Sequence, residues 1–183
     1  DSFYRIPKTK EARTLKFNPS LEQAICVLVL LATQENGVPL SSDRASDILG
    51  VSRSYFRKIT RKLVLQGIIR SVPGNNGGLS LGRGASDITL LQVIEAMEGD
   101  LSLYEDGGLI RNIFHDGTYV DRGVEILHHV FAGADDLLKQ YFSGFTLASM
   151  LQQTMGDDHS TLNWNTTTLR EWIANTHAGT RLS

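Results

Sequence analysis

The hydrophobic spacing changes at Gly67 from a helical repeat to a strand repeat, and this change constrains the fold most. Before it, one helix is predicted to start near Ser41 and a second to run from about Arg53 to Gln66, with Gly50 in the turn between them. After it, two short alternating segments flank residues 73–78, a turn of Pro, Gly and Asn. A helix, a tight turn, a helix and a hairpin in this order predict a winged helix-turn-helix domain.

Helical spacing also predicts helices on both sides of this motif, so the expected fold class is mainly α with a small β wing and one long helix. Cys26 lies in an apolar stretch of the first helix and is expected to be a small core or near-core residue. The additional helices are predicted at about Pro19–Gln34, Thr89–Gly99, Gly117–Phe142, Thr146–Met155 and Thr166–Asn175.

These elements divide the chain into five parts with different composition. Residues 1–16 are predicted to be a flexible basic arm or leader, and residues 17–99 a DNA-binding domain. Residues 100–116 are irregular and contain glycine, which favours a linker or effector loop. Residues 117–156 are predicted to hold a dimerisation helix and a short following helix, and residues 157–183 to form a C-terminal extension.

The net charge of −2 hides a strong asymmetry along the chain. Residues 1–83 contain 13 Lys and Arg against 6 Asp and Glu, whereas residues 84–183 contain 5 against 14. The first part is therefore strongly basic and suits a polyanionic partner such as nucleic acid, while the second is acidic. The alternative is a chance clustering of solvated charge.

The second helix of the predicted motif carries most of the candidate DNA contacts. Phe56, Ile59 and Leu63 share its inner face, and basic residues occupy much of the remainder. Because the N-terminal part of a recognition helix enters the major groove, the first residues are expected to read bases and the later ones to bind phosphates. The candidate base readers are Arg53, Ser54, Arg57 and Lys58, and the candidate phosphate contacts are Tyr55, Arg61 and Lys62. A plain solvated helix face remains the alternative.

The glycine-rich turn at 73–78 is expected to form the wing tip. Arg70, Asn75 and Asn76 are its candidate backbone contacts. A phosphate cradle of a nucleotide-binding enzyme would need a following Lys and helix, and neither is present. No nucleophile and base can be paired from the sequence, and no metal site or cofactor motif is found, so the chain is not expected to be an enzyme.

A heptad-like seam runs along the long predicted helix at intervals of four and three residues. Such a seam is typical of a helix that packs against a partner, so we expect it to form a homodimer interface. Packing against other helices of the same chain is the alternative. The seam residues are Val120, Val124, Leu127, Phe131, Leu138 and Tyr141, with Ala134 between them.

The motifs together resemble the IscR/NsrR/CymR family of winged-helix regulators over roughly residues 17–152. The resemblance rests on the order and spacing of Val51–Phe56, Gly67–Ser71, Gly77–Leu81, Ile88–Leu90 and Ser143–Leu151. It implies a homodimer with crossed long helices that binds palindromic double-stranded DNA and represses or activates nearby promoters. Function is then expected to be that of a transcriptional regulator, a homodimeric repressor in the cytoplasm, with a small molecule or a protein as its effector.

Two departures from the family pattern limit what is carried over. Many members hold an iron–sulfur cluster on three cysteines between the fourth and the long helix, whereas residues 100–118 contain none here, so cluster sensing is not expected. The family's wing usually has an Arg before the loop and an aromatic after it, and here Pro73 and Leu79 occupy these positions. One alternative function is a role dominated by a protein partner. A redox switch at Cys26 is another, but the apolar stretch around this residue disfavours the reactive thiolate.

Overall fold

The computed structural model describes residues 17–115, 117–156 and 161–179, and the arm predicted for residues 1–16 lies outside them. The described residues form eight α-helices and one two-stranded antiparallel sheet, so the predicted mainly α fold with a small β wing is confirmed. The elements are α1 Pro19–Ala32, α2 Ser42–Leu49, α3 Arg53–Leu65, β1 Ile69–Val72, β2 Gly78–Leu81, α4 Leu90–Glu98, α5 Leu109–Phe114, α6 Thr118–Ser143, α7 Leu147–Met155 and α8 Leu169–Gly179. None of the described helices combines the length and the apolarity needed to cross a membrane.

Side-chain caps and one left-handed glycine define the helix-turn-helix. The Ser41 hydroxyl accepts a hydrogen bond from the Arg44 amide at the start of α2, and Ser52 accepts one from the Tyr55 amide at the start of α3. Gly50 has a φ of 65° and ends α2, a conformation that a residue with a Cβ adopts only with strain. The chain can therefore turn within three residues and begin α3 at once.

The hairpin β1–β2 pairs Ile69 with Leu81 and Val72 with Gly78, as expected for a wing. Leu40 adds an isolated antiparallel bridge to Leu79, which fixes the hairpin to the segment before α2. A Cβ on Gly78 would lie 2.2 Å from the Leu40 carbonyl oxygen, so this close approach requires glycine.

A single core joins the wing to the helices. The apolar faces of α1, α3, α4 and α7 meet around the inner side of the hairpin. Burial of this many large side chains stabilises the domain by roughly 1.5–3 kcal/mol each relative to exposure. Fully buried members include Leu28, Phe56, Leu63, Ile68, Ile94 and Leu147.

Three boundaries differ from the sequence prediction for physical reasons. Helix α1 ends at Ala32 rather than Gln34, because Gln34 pairs with Leu162 of the C-terminal segment. The loop predicted at 100–116 contains the short helix α5. Helix α8 starts at Leu169, since the amides of Thr166 and Thr167 are used in a turn that closes on the Asn163 carbonyl.

The prediction that Cys26 is a core residue is wrong. The buried stripe of α1 passes through Leu21, Ala24, Val27 and Leu28, and Cys26 lies about 200° around the helix from Ala24. The side chain is therefore exposed. Partial desolvation and the nearby Glu22 carboxylate raise the pKa of its thiol.

Candidate nucleic-acid interface

Helix α3 is fixed on the domain by its apolar face. Phe56, Ile59 and Leu63 are almost completely buried, and Thr60 is buried between them with its hydroxyl bonded to the Phe56 carbonyl. The α3 orientation is consequently set by the core, and the opposite face is left for a partner.

That opposite face is cationic and open to solvent. Among the described residues, Arg57, Lys58 and Arg61 form no ion pair with a carboxylate. Arg53 pairs with Asp43 of α2 at 2.9 Å, but both side chains are 63% exposed, so this pair contributes little stability and can be exchanged for another anion. The exposed set that the structure brings together is Arg53, Ser54, Tyr55, Arg57, Lys58 and Arg61.

Lys62 differs from the other basic residues of α3. Its side chain is half-buried, and its ammonium donates a hydrogen bond of 2.5 Å to the Met97 carbonyl in the last turn of α4. Carbonyls in the last turn of a helix lack a partner within the helix and carry partial negative charge. Lys62 therefore joins α3 to α4, and its part in phosphate binding stays a prediction.

The wing residues divide into two groups. Asn75 and Asn76 are exposed at the wing tip and line a groove that also contains Arg44 of α2. Arg70 is exposed on β1 but lines a different groove, formed with the segment 34–39. The structure thus brings the wing tip, but not Arg70, next to the helix-turn-helix.

Arg44 is a basic residue that the sequence interpretation missed. It lies on α2, one residue after the Asp43 that contacts the start of α3. Its guanidinium donates to the carbonyls of Trp164 and Thr167 at 3.0 and 2.9 Å. The only sequence signal was a lone Arg on the first helix of the motif, because its partners lie more than a hundred residues away.

Two residues of the seam predicted on α6 pack against their own chain. Val124 is buried, and Phe131 stacks on Tyr104 with ring centroids 4.8 Å apart. Asp135 accepts a hydrogen bond from the Leu103 amide at 2.9 Å. Of the other seam residues, Val120, Leu127 and Leu138 are half-buried and Tyr141 is exposed. Packing within the chain thus accounts for Val124 and Phe131, and the dimerisation role of the other seam residues stays a prediction.

Charged contacts also hold the loop after α4 against α6. Lys139 of α6 contacts Asp100 at 2.8 Å, and this hydrogen bond and charge lower the pKa of the Asp100 carboxyl. Near the other end, Asp106 lies 3.9 Å from the His128 imidazole, and Tyr104 packs edge-on against that ring. Loop and helix thus form one surface with aromatic and polar contacts.

A second apolar face of α6 is exposed to solvent, and Tyr141 at its end packs edge-on against Phe145. We call it the outward stripe, and its large side chains are between 59% and 88% exposed. Apart from Tyr141, which both sets contain, its residues precede those of the predicted seam by one position, which is a rotation of about 100° around the helix. Its residues are Tyr119, Ile126, Val130, Leu137 and Tyr141, with Gly133 between Val130 and Leu137.

Comparison with known proteins places this geometry in a regulator family. The profile of the Rrf2 family, described as an iron-dependent transcriptional regulator, matches residues 17–153. The HTH-type transcriptional regulator YwgB of Bacillus subtilis (strain 168) is 36% identical over 122 residues, which is 67% of this chain and 75% of that protein. The HTH-type transcriptional regulator YffB of Lactococcus lactis subsp. lactis (strain IL1403) is 31% identical over 159 residues, covering 87% and 97%.

Solved structures show the same fold at lower identity. CymR (YrzC), the global cysteine regulator of B. subtilis, is 21% identical with a TM-score of 0.56, covering 76% of this chain and 98% of CymR. IscR of T. potens is also 21% identical with a TM-score of 0.56, covering 79% and 91%.

Proposed function

The chain belongs to the Rrf2 family of transcriptional regulators, and on that premise we propose that it is a homodimeric repressor of palindromic operators. The proposed activity is sequence-specific binding of double-stranded DNA in the bacterial cytoplasm, without catalysis. The observation that carries the proposal is the cationic face of α3, which is held rigidly by a buried opposite face and has three basic side chains without a carboxylate partner in the described residues.

Chemistry assigns different roles to the residues of this face. Arg53, Ser54, Arg57 and Lys58 lie on the first turns of α3 and are proposed to reach base edges in the major groove. Tyr55 and Arg61 are proposed to bind phosphates beside them, with Asn75 and Asn76 on the backbone at the wing tip. Lys62 and Arg70 have weaker support, because one is bound to α4 and the other lines a separate groove.

The outward stripe supports a homodimer. Five large apolar side chains on one exposed helix face exceed the scattered apolar residues that are normal on a monomer surface. The stripe repeats along a single helix, and a two-fold axis would bring it against itself. Gly133 has no side chain to hold a crossing helix away, so a second α6 can approach closely there.

The iron in the family description does not fit the donors of this chain. An iron–sulfur cluster is held mainly by several cysteine thiolates, and the sequence contains the single Cys26. In the described residues, no three His, Cys, Asp or Glu side chains come together as a metal site. Cys26 lies on α1 and not in the 100–108 segment where the family's cluster cysteines are expected, so no step of the proposed function is assigned to iron.

A protein partner is the second candidate. It is favoured by the acidic second half and by α5, where Leu109, Ile113 and Phe114 are all exposed. A regulator that works mainly through such a partner would retain the winged-helix fold but show little preference among DNA sequences.

Selection from randomised duplex DNA, followed by affinity titration, tests the proposal. We expect an inverted repeat, and Arg57→Ala should weaken its binding by roughly 1–3 kcal/mol and relax one base position in each half-site. Arg122→Ala is the matched control, since Arg122 is exposed on α6. If the wild-type protein selects no sequence, or Arg57→Ala binds like Arg122→Ala, DNA recognition by α3 is wrong.

Transcription in vitro tests the direction of regulation. A promoter that overlaps the selected inverted repeat should give less transcript when the protein is added. The same promoter with the repeat scrambled is the control. An increase in transcript would replace repression by activation.

A further inference from the structure

The chain continues past residue 153, where the family profile ends, and part of this continuation packs against the DNA-binding domain. Residues 161–167, which we call the C-terminal strap, run beside the segment between α1 and α2. Leu162 forms a parallel bridge with Gln34, and its amide and carbonyl bond to the Thr33 carbonyl and the Glu35 amide at 2.9 and 2.8 Å. The strap therefore satisfies backbone groups at an edge of the winged-helix domain.

Trp164 anchors the strap. Its side chain is 3% exposed, and its indole N–H donates to the Thr33 hydroxyl at 2.9 Å. The Trp164 amide donates to the Gln34 side-chain oxygen, also at 2.9 Å. A buried aromatic whose polar group is satisfied fixes the strap in one position rather than letting it slide along the surface.

The next residue fixes the entrance to α2. The Asn165 side chain accepts a hydrogen bond from the Ser41 amide at 2.9 Å and donates one to the Pro39 carbonyl at 3.0 Å. Both contacts are to backbone atoms, so they set the path of the chain that leads into α2.

The strap also holds the guanidinium of Arg44. Two N–H groups of Arg44 donate to the strap carbonyls of Trp164 and Thr167. Main-chain carbonyls orient this cation without neutralising it, and no carboxylate of the described residues lies within ion-pair distance of it. The Glu171 carboxylate of α8 is its acidic neighbour at longer range: hydrogen bonds from Thr168, and to a lesser degree the charge of Arg44, lower the pKa of Glu171. A guanidinium has five N–H donors, so three remain for another ligand.

These contacts place Arg44 in a groove that suits an anion. The groove has a volume of about 610 Å³ and lies between α2, the wing tip and the strap. Asn75 and Asn76 contribute amide groups to its lining, and none of the lining residues is acidic. Asp43, the residue before Arg44, contacts Arg53 at 2.9 Å, so the start of α2 that carries Arg44 adjoins the start of the cationic helix α3.

We propose that the C-terminal strap orients Arg44 to bind a backbone phosphate of duplex DNA in this groove, next to the bases contacted by α3. The inference rests on the proposed DNA-binding function and adds to it a contact and a positioning element. Arg44 is the binding residue, and Trp164 is a positioning residue that acts through it.

Salt-dependent DNA titration of the full chain tests the contact. Arg44→Gln removes the charge while keeping a hydrogen-bonding group for the strap. With the duplex selected by the wild-type protein, the slope of log affinity against log salt should fall by about 0.9 for each bound protomer. Affinity for a scrambled duplex should fall alike, since a phosphate contact carries no base preference. An unchanged slope would show that no phosphate is bound at Arg44.

A double-mutant cycle tests the positioning. Trp164→Ala should lower the salt slope in the wild-type background and have little further effect on it in the Arg44→Gln background, because both act on one contact. A strap that only stabilises the fold would lower the melting temperature equally in both backgrounds and leave the slope unchanged. Additive effects on the slope, or no effect, would overturn the positioning role.

Two further variants keep the result interpretable. If Trp164→Ala does not fold, Asn165→Ala replaces it in the cycle, because it removes only the two contacts at the entrance to α2. Arg57→Ala is titrated in parallel. Loss of base preference in Arg57→Ala together with wild-type behaviour of Arg44→Gln would reject the strap contact alone, whereas a wild-type protein that does not bind DNA would reject both proposals.

Discussion

Helices α3 and α6 are both amphipathic, and each exposes one face, but the exposed chemistry is opposite. Helix α3 buries Phe56 and Leu63 and displays Arg57, Lys58 and Arg61. Helix α6 is 26 residues long, buries only Val124 fully, and displays apolar side chains on the outward stripe.

The difference shows which partner each exposed face suits. The core under α3 is finished within one chain, so its exposed cations are available to a polyanion at no cost to folding. The outward stripe keeps apolar area in water, and covering it with a second copy is favourable by about 25 cal/mol for each Å² removed. One helix thus suits DNA, and the other suits its own copy.

The largest expected effect is loss of the dimer when a charge enters the outward stripe. Val130→Glu should give a folded monomer of 20.2 kDa by light scattering, because the new carboxylate would be buried without a partner at the interface. Since the two recognition helices would no longer act together, affinity for the inverted repeat should fall at least roughly 100-fold.

Val124→Glu is the matched control on the same helix. Val124 is 4% exposed and faces its own chain, whereas Val130 is 59% exposed. The charge at 124 should destabilise the protomer itself, which lowers its urea midpoint. The charge at 130 should separate the protomers but leave each of them folded. If Val124→Glu gave the folded monomer and Val130→Glu stayed dimeric, the seam predicted from the sequence would be the interface.

The sequence predicted α3 and the wing well because their signals are local. Ser41, Ser52, Gly50 and Gly67 mark helix ends by short-range chemistry, and the change in period needs only a few residues. On α6, two stripes one residue apart are both apolar, so spacing alone could not decide which one faces the chain's own loop.

The C-terminal strap had no local signal at all. Trp164 and Thr33 are 131 residues apart, and the strap is neither a helix nor a regular strand. Its contacts join backbone atoms to side chains over long range, which leaves no periodic pattern in the sequence. Arg44 was missed for the same reason, because its partners belong to the strap.

A smaller effect separates two lysines of α3. Lys62→Met keeps the aliphatic part of the side chain but removes the bond to the Met97 carbonyl, and should lower the free energy of unfolding by about 1–2 kcal/mol. Lys58→Met removes an exposed side chain that is proposed to reach a base edge, so it should leave unfolding unchanged while weakening binding to the selected duplex by roughly 1–3 kcal/mol.

Urea unfolding and salt-dependent titration of both variants check this contrast. The comparison between the helices would be weakened if Lys62→Met changed only the salt slope. In that case the ammonium would leave Met97 when DNA binds, and Lys62 would join the phosphate contacts predicted from the sequence.

The smallest effect concerns Cys26 on α1, which belongs neither to the cationic face of α3 nor to the outward stripe of α6. As the single cysteine of the sequence, it would carry any thiol-based redox response. Partial desolvation, and to a lesser degree Glu22, raise the pKa of this thiol, so its thiolate fraction near neutral pH is below that of an ordinary cysteine. Alkylation by iodoacetamide at pH 8 should therefore be slower than for a cysteine in an unfolded peptide.

The sign for stability follows from the same shift. A pKa raised in the folded state means that the folded protein holds the proton more tightly, so the stabilisation is present below the unfolded pKa and is lost as pH rises through the folded value. Glu22→Gln should lower the pH at which alkylation is half-maximal only part of the way towards that of an ordinary cysteine, because desolvation is the larger cause of the raised pKa. Alkylation faster than in the unfolded peptide would instead show that Cys26 is a reactive thiol, and the redox switch at Cys26 would then become the favoured alternative function.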